Sequence, residues 1–245
     1  MTRGAYLEAM GIQTWVGRLA PVVDVPLASD LTGLKDLSGL PEPTPPAEPR
    51  AVPERVEGGP LDWPELRARV LACTACPLHA TRIQAVFGVG NPQAELMIVG
   101  EAPGADEDRQ GEPFVGRAGQ LLNAMLRAIG LAREQVYIAN ILKCRPPGNR
   151  DPLPEEVLCC RAYLLRQIEL VQPRLILAAG RVAAQNLLNS SENVGRLRAR
   201  EHRLGDTPLL VTYHPAYLLR SPEEKAKAWQ DLQRLARMLR RNAVA

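Results

Sequence analysis

Five cysteines stand at positions 73, 76, 144, 159 and 160. An odd count, with one C-x-x-C pair and one adjacent pair, makes a poor disulfide framework and leaves thiols for metal chemistry. Cys159 and Cys160 fall on a helical segment, whose period sends them to different sides. Cys160 shares a stripe with Val157, Leu164 and Ile168, while Cys159 turns towards Tyr163 and Arg166. The better tetrad is therefore Cys73, Cys76, Cys144 and Cys160. Four thiolates could hold Zn²⁺ or an iron–sulfur cluster. Zinc ribbons usually pair two C-x-x-C knuckles, so the single knuckle here tilts mildly towards a cluster. Buried thiols without metal stay open as the plainer alternative.

A second set of candidates surrounds GEAPGADED (100–108). Its glycines let backbone amides approach a ligand closely. The Walker ending is missing, and so is G-x-G-x-x-G. Asp106 and Asp108 read as a solvated turn; Glu101 differs, because it leaves a strand at the edge where ligands sit. Phe114 lies beside Gly111, Pro113 and Gly116 in a chain with two phenylalanines. It could plug the core or form a stacking platform for a flat ring. Asn140 ends another apolar run, and His214 opens HPAYLLR (214–220), as a structural residue or a hydrogen-bond donor. Arg196, Arg198, Arg200 and Arg203 crowd one connection, and Arg220 follows His214. They read either as a solvated basic surface or as phosphate holders. His79 and His202 receive no role.

These residues need elements to position them. Short apolar runs at 94–100, 136–140, 174–180 and 208–214 alternate with helical patterns at 116–130, 154–173, 181–189 and 221–241. Asp62 caps a further helix that begins at PLDWPEL. Such alternation argues for a parallel sheet covered by helices on both faces: α/β, three layers, with four central parallel strands. Ligands in these sheets sit beyond the carboxyl ends of the strands. The exits are Gly100–Glu101, Asn140, Gly180–Arg181 and His214, where function concentrates.

The chain has 245 residues, 46% of them hydrophobic, with a net charge of +3. That is enough to bury a core without disulfides, and the charge total by itself does not announce a nucleic-acid binder. Ten of the 22 prolines fall between Pro21 and Pro64. Residues 1–20 are expected to hold a short helical segment, 21–60 a proline-rich disordered linker, and 61–245 the folded domain. The first segment reads as a weakly ordered extension or as a docking peptide for a repair or replication protein. Neither a secretory signal nor a membrane-length apolar run is present in the sequence, so a cytoplasmic location with reduced cysteines is expected.

Taken together, GEAPGADED, Phe114, Asn140, the four spaced cysteines and HPAYLLR resemble the family 4 uracil-DNA glycosylases, the iron–sulfur members of the uracil-DNA glycosylase superfamily. The resemblance covers about residues 65–238. It implies a four-stranded parallel sheet between helices and a [4Fe–4S] cluster on Cys73, Cys76, Cys144 and Cys160. It also implies an enzyme that flips uracil out of DNA and hydrolyses its bond to deoxyribose, leaving an abasic site; the protein is expected to act as a monomer. By the same resemblance Phe114 stacks on uracil, Asn140 reads its Watson–Crick edge, and His214 donates to O2 as charge develops. Ala102 and Gly104 belong to the uracil-facing loop. Leu218 or Leu219 wedges into the vacated stack, and Arg220, with Arg196 and Arg198, grips phosphate. Ala102 stands where the best-known branch of the superfamily has a water-positioning Asp. Glu101 is then the candidate to hold water or the sugar cation, and Glu107 a candidate to close the pocket against thymine's methyl. The rival reading is an iron–sulfur protein that binds uracil-DNA without turnover, or traps it covalently.

Overall fold

A capping box starts the first helix among the described residues, α1 (Trp63–Leu71), where its sequence signature lies. Asp62 accepts from the Glu65 amide at 2.9 Å while Glu65 reaches back to the Asp62 amide. The computed structural model describes residues 61–241, so the expectations for 1–20 and 21–60 lie outside the described residues. Beyond α1 the chain runs through β1 (Val89–Gly90), β2 (Leu96–Gly100), α2 (Ala105–Gln110), α3 (Arg117–Ala128) and β3 (Tyr137–Asn140). There follow α4 (Pro154–Val171), β4 (Leu175–Ala179), α5 (Arg181–Leu188), α6 (Val194–Leu197), β5 (His202–Leu204), β6 (Thr207–Thr212), α7 (Pro215–Arg220) and α8 (Lys225–Arg241).

The four expected parallel strands lie at the centre, and two short antiparallel edge strands extend the sheet to six, in the order β1-β3-β2-β4-β6-β5. Val89–Gly90 is too short to leave a periodic signal, and His202–Leu204 is masked by its arginine-rich surroundings. Every residue of β2, β3 and β4 is buried, so these strands read as unbroken apolar runs. Alternate side chains feed the two faces. Met97, Val99, Ala139, Ile176 and Val211 pack with α4 and α5 residues such as Leu164, Ala184 and Leu187. Leu96, Ile98, Ile138, Leu177 and Leu210 pack with Leu122 and Leu126 of α3 and Leu232 and Leu235 of α8. Three layers result.

A stretch expected to be loop, 105–110, forms the short helix α2 instead. Gly104 opens it, and Glu107 returns its carboxylate to the Gly104 amide at 3.1 Å. Asp108, expected in a solvated turn, is buried and accepts from the Ile83 amide at 2.9 Å, tying α2 to the segment before β1. Among the described residues no helix is long and apolar enough to cross a membrane.

Candidate active site

The chain leaves β2 towards β3, then returns across β2 to build β4 and β6. The connections diverge between β2 and β4, and a crevice forms outside the carboxyl ends at such a point. In register, Gly100 is level with Asn140, and Ala179 with Thr212. A cavity of about 380 Å³ opens there, lined by Glu101, Ala102, Gly104, Glu107, Phe114, Asn140, His214 and Arg220 among others. Residues separated by as much as 119 positions in sequence, Glu101 to Arg220, therefore meet in one crevice.

Asn140 is 2% exposed, and its Oδ1 is buried without a hydrogen-bond partner among the described residues. An orphaned buried acceptor is costly, so a ligand is its natural partner. Phe114 is buried near it, with backbone φ of +55°, in the left-handed region. Its ring lies 5.5 Å from the His214 ring and 29° from parallel. Two glycines make room for these groups. A Cβ at Gly100 would collide with Asn140 Oδ1 and come within 2.6 Å of the Phe114 ring. One at Gly180, where φ is +100°, would come within 2.7 Å of His214 Cβ.

His214 caps α7, its Nδ1 accepting from the Ala216 amide at 3.1 Å. Burial, and then the Arg220 cation, push its pKa down to about 4 against the opposing pull of Glu107. The ring is neutral at physiological pH. With Nδ1 accepting, the ring proton sits on Nε2, so His214 can donate without carrying charge. Glu101 is pushed above the usual carboxylate range by burial and by the neighbouring Asp151, with Arg181 opposing. Glu107 also lines the cavity, but its oxygens are engaged by backbone: the amides of Gly104, Val115 and Gly116 donate to it at 3.1, 2.9 and 3.0 Å.

The expected DNA-contacting residues separate sharply. Leu218 is 1% exposed and packs in the core beneath α7, so it cannot be a wedge. Leu219 is 37% exposed on the same short helix. Arg220 lines the cavity. Arg198 is not available to phosphate: its guanidinium forks onto Asp231 at 2.9 and 2.7 Å and lies over the Tyr213 ring. Arg196 is exposed on α6, and the cavity's lining does not include it. Sequence reasoning passed over Arg150 and Asp151, which also line the cavity. Arg150 forks onto Glu156 at 2.9 and 2.6 Å, and Asp151 pairs with Arg181. Their turn-like setting, GNRDP, carried no chemical signal.

The thiols gather away from this crevice. Cys76, Cys144 and Cys160 are buried, while Cys73 and Cys159 are half-buried. Burial pushes the Cys76 and Cys144 thiols up, and takes Cys160 up to about 12. Arg82 donates to Cys144 Sγ at 2.9 Å, and Lys143, beside Cys144, is fully buried. Cys159 places its thiol 3.4 Å from the Ala75 carbonyl, on the C-x-x-C knuckle itself. Among the described residues no three His, Cys, Asp or Glu side chains converge tightly enough to hold a single metal ion.

Comparison with known proteins accounts for this geometry. The Uracil DNA glycosylase superfamily model matches residues 87–233. A Type-4 uracil-DNA glycosylase of Archaeoglobus fulgidus is 44% identical over 177 residues, spanning 69% of this chain and 89% of that protein. One from Thermotoga maritima is 46% identical over 155 residues, 62% of this chain and 81% of that protein. A Type-5 uracil-DNA glycosylase of Thermus thermophilus is more distant, at 32% over 149 residues. The chain belongs to the uracil-DNA glycosylase superfamily and, within it, to the type-4 uracil-DNA glycosylases.

Proposed function

We propose that this enzyme accepts a uracil flipped out of DNA into the 380 Å³ cavity and hydrolyses its N-glycosidic bond, releasing uracil and leaving an abasic site. The observation that carries the reading is the buried, unpartnered Oδ1 of Asn140 beside a neutral histidine and an aromatic face. Asn140 Oδ1 accepts from uracil N3–H and the amide nitrogen donates to O4. Cytosine reverses that pattern and would leave buried groups unpaired. Phe114 stacks on the ring. As the bond lengthens, negative charge grows on the base, and the His214 Nε2–H donates to O2. A neutral donor suits an anionic leaving group, because it stabilises the charge without needing to be protonated from solvent. The sugar becomes cationic, and Glu101 holds the attacking water or stabilises that cation, since Ala102 offers no carboxylate. Leu219 fills the vacated stack and Arg220 holds a phosphate.

Incubation with uracil-containing single- and double-stranded DNA tests the reading. Free uracil and alkali-labile abasic sites are expected. A protein with its full complement of iron that releases none would sink it.

We further propose that Cys73, Cys76, Cys144 and Cys160 hold a [4Fe–4S] cluster. The donor chemistry supports this. Cys76, Cys144 and Cys160 are buried, Arg82 donates to Cys144 Sγ at 2.9 Å, and no carboxylate is bonded to Arg82 among the described residues. A cluster with four thiolates is net negative, and such a cation offsets that charge. When bound, the cluster would cross-link the end of α1, the loop after β3 and α4. Visible absorption and an iron assay decide; one equivalent of zinc in place of iron would overturn the assignment.

A further inference from the structure

Phe114 is held in a left-handed backbone conformation that a bulky residue rarely adopts. Such a conformation persists only where its surroundings over-determine it. Here they do so from both sides of one short run. On one side stands Arg133, in the turn just before β3. Its guanidinium donates to the Pro113 carbonyl at 2.6 Å, to the Phe114 carbonyl at 3.2 Å and to Asn123 Oδ1 at 3.3 Å. On the other stands Glu107, whose Oε1 accepts from the Val115 and Gly116 amides. Two successive carbonyls and the next two amides are thus bonded by two side chains of opposite charge. Gly119 of α3 completes the seat, since a Cβ there would occupy the place of the Phe114 carbonyl.

We propose that Arg133 is a positioning residue: with Glu107 it clamps the 113–116 backbone and so fixes the Phe114 ring as the floor of the uracil cavity. The proposal rests on the glycosylase reading and extends it, since Arg133 does not line the cavity and acts through Phe114. A planar fork suits two adjacent carbonyls in a way that an ammonium cannot. Its place also links the two recognition groups, because the strand that Arg133 precedes ends in Asn140.

A double-mutant cycle with local hydrogen exchange tests it. Arg133→Gln should lower kcat/KM for uracil release by about 10- to 100-fold, as expected when a reacting partner is displaced by about an ångström. Affinity for uracil-free DNA should stay within about 2-fold, because Arg133 does not line the cavity. Arg133→Lys, which keeps the charge and loses the fork, should lose nearly as much. In a Phe114→Leu background the same Arg133→Gln change should cost less than about 2-fold, since coupled residues are non-additive. Amides in the 111–121 segment should exchange faster in Arg133→Gln while those of β2 and β4 do not. Equal losses in both backgrounds, unchanged exchange in 111–121, or failure of both Arg133 variants to fold would overturn the proposal. If wild-type protein releases no uracil, the glycosylase reading fails separately, and the exchange measurement still decides whether the clamp exists.

Discussion

Two charged stretches of this chain meet opposite fates. Between 101 and 116 two of the acids, Glu101 and Glu107, line a cavity: Glu101 has a raised pKa, Glu107 shapes the backbone, and Asn140 beside them keeps an unanswered acceptor. Between 196 and 203 three of the four arginines are bonded to groups of their own protein. Arg198 is half-buried and forks onto the buried Asp231, Arg200 pairs with Glu192, and Arg203 donates to the Asp206 carbonyl. A count of charges favours the second stretch as the binding surface. Satisfaction of hydrogen bonds favours the first, because a group already bonded within the protein has little left to offer a ligand, while a buried group left unbonded is costly until one arrives.

That contrast can be broken by mutation. Asn140→Asp should have the largest effect. A carboxylate cannot donate to O4, and it opposes the growing negative charge on uracil, so uracil release should fall by about 10⁴-fold. Cytosine release should not fall in proportion; identical losses on the two bases would refute edge reading by Asn140.

His214→Ala should follow, with kcat down by about 10²–10³-fold, as for loss of one donor to a developing anion, and DNA affinity nearly unchanged. The same residue sets a pH dependence. Its folded pKa of about 4 lies below the ordinary value of 6.5, so the unfolded chain binds the extra proton first as pH falls. The stability that comes from holding the ring neutral is complete above about pH 6.5 and is lost as pH falls towards 4. Urea midpoints measured across that window should slope less in His214→Gln than in wild type.

Arg198→Ala should act on the other side of the comparison. Removing one partner of a buried pair leaves Asp231 unmatched, at a cost of about 3 kcal/mol in a denaturant melt. Activity per folded molecule should stay within about 2-fold, because the guanidinium faces the protein rather than the phosphate backbone. A steep loss of DNA affinity with unchanged stability would reverse that assignment. Arg200→Ala should do least. Its pair with Glu192 is half exposed, worth about 0–1 kcal/mol, so Tm should move by no more than about 4 °C.

Much of this was legible in the chain. The four parallel strands announce themselves as unbroken apolar runs because both faces are covered, and their exits name Glu101, Asn140 and His214 before any geometry is known. Helix α2 was not legible, since its stability depends on the Glu107 carboxylate reaching back to Gly104 amid what looks like an acidic turn. Nor was the difference between Leu218 and Leu219: adjacent leucines on one short helix, one in the core and one at the surface, are separated by the way α7 packs. Arg133 gave no signal, because its partners are main-chain carbonyls, and any sequence supplies those.

The sequence by itself determined the layer architecture, the strand exits and the family. These depend on periodicity, spacing and residue type, which are local properties of the chain. Only the tertiary structure decided which polar groups were left unsatisfied. Whether Asn140 Oδ1 waits for a partner, whether Arg198 already has one, and which way Phe114 faces are set by contacts between residues far apart in sequence. Burial then decides the outcome, because a hydrogen bond unmade inside the protein costs what water would otherwise have supplied.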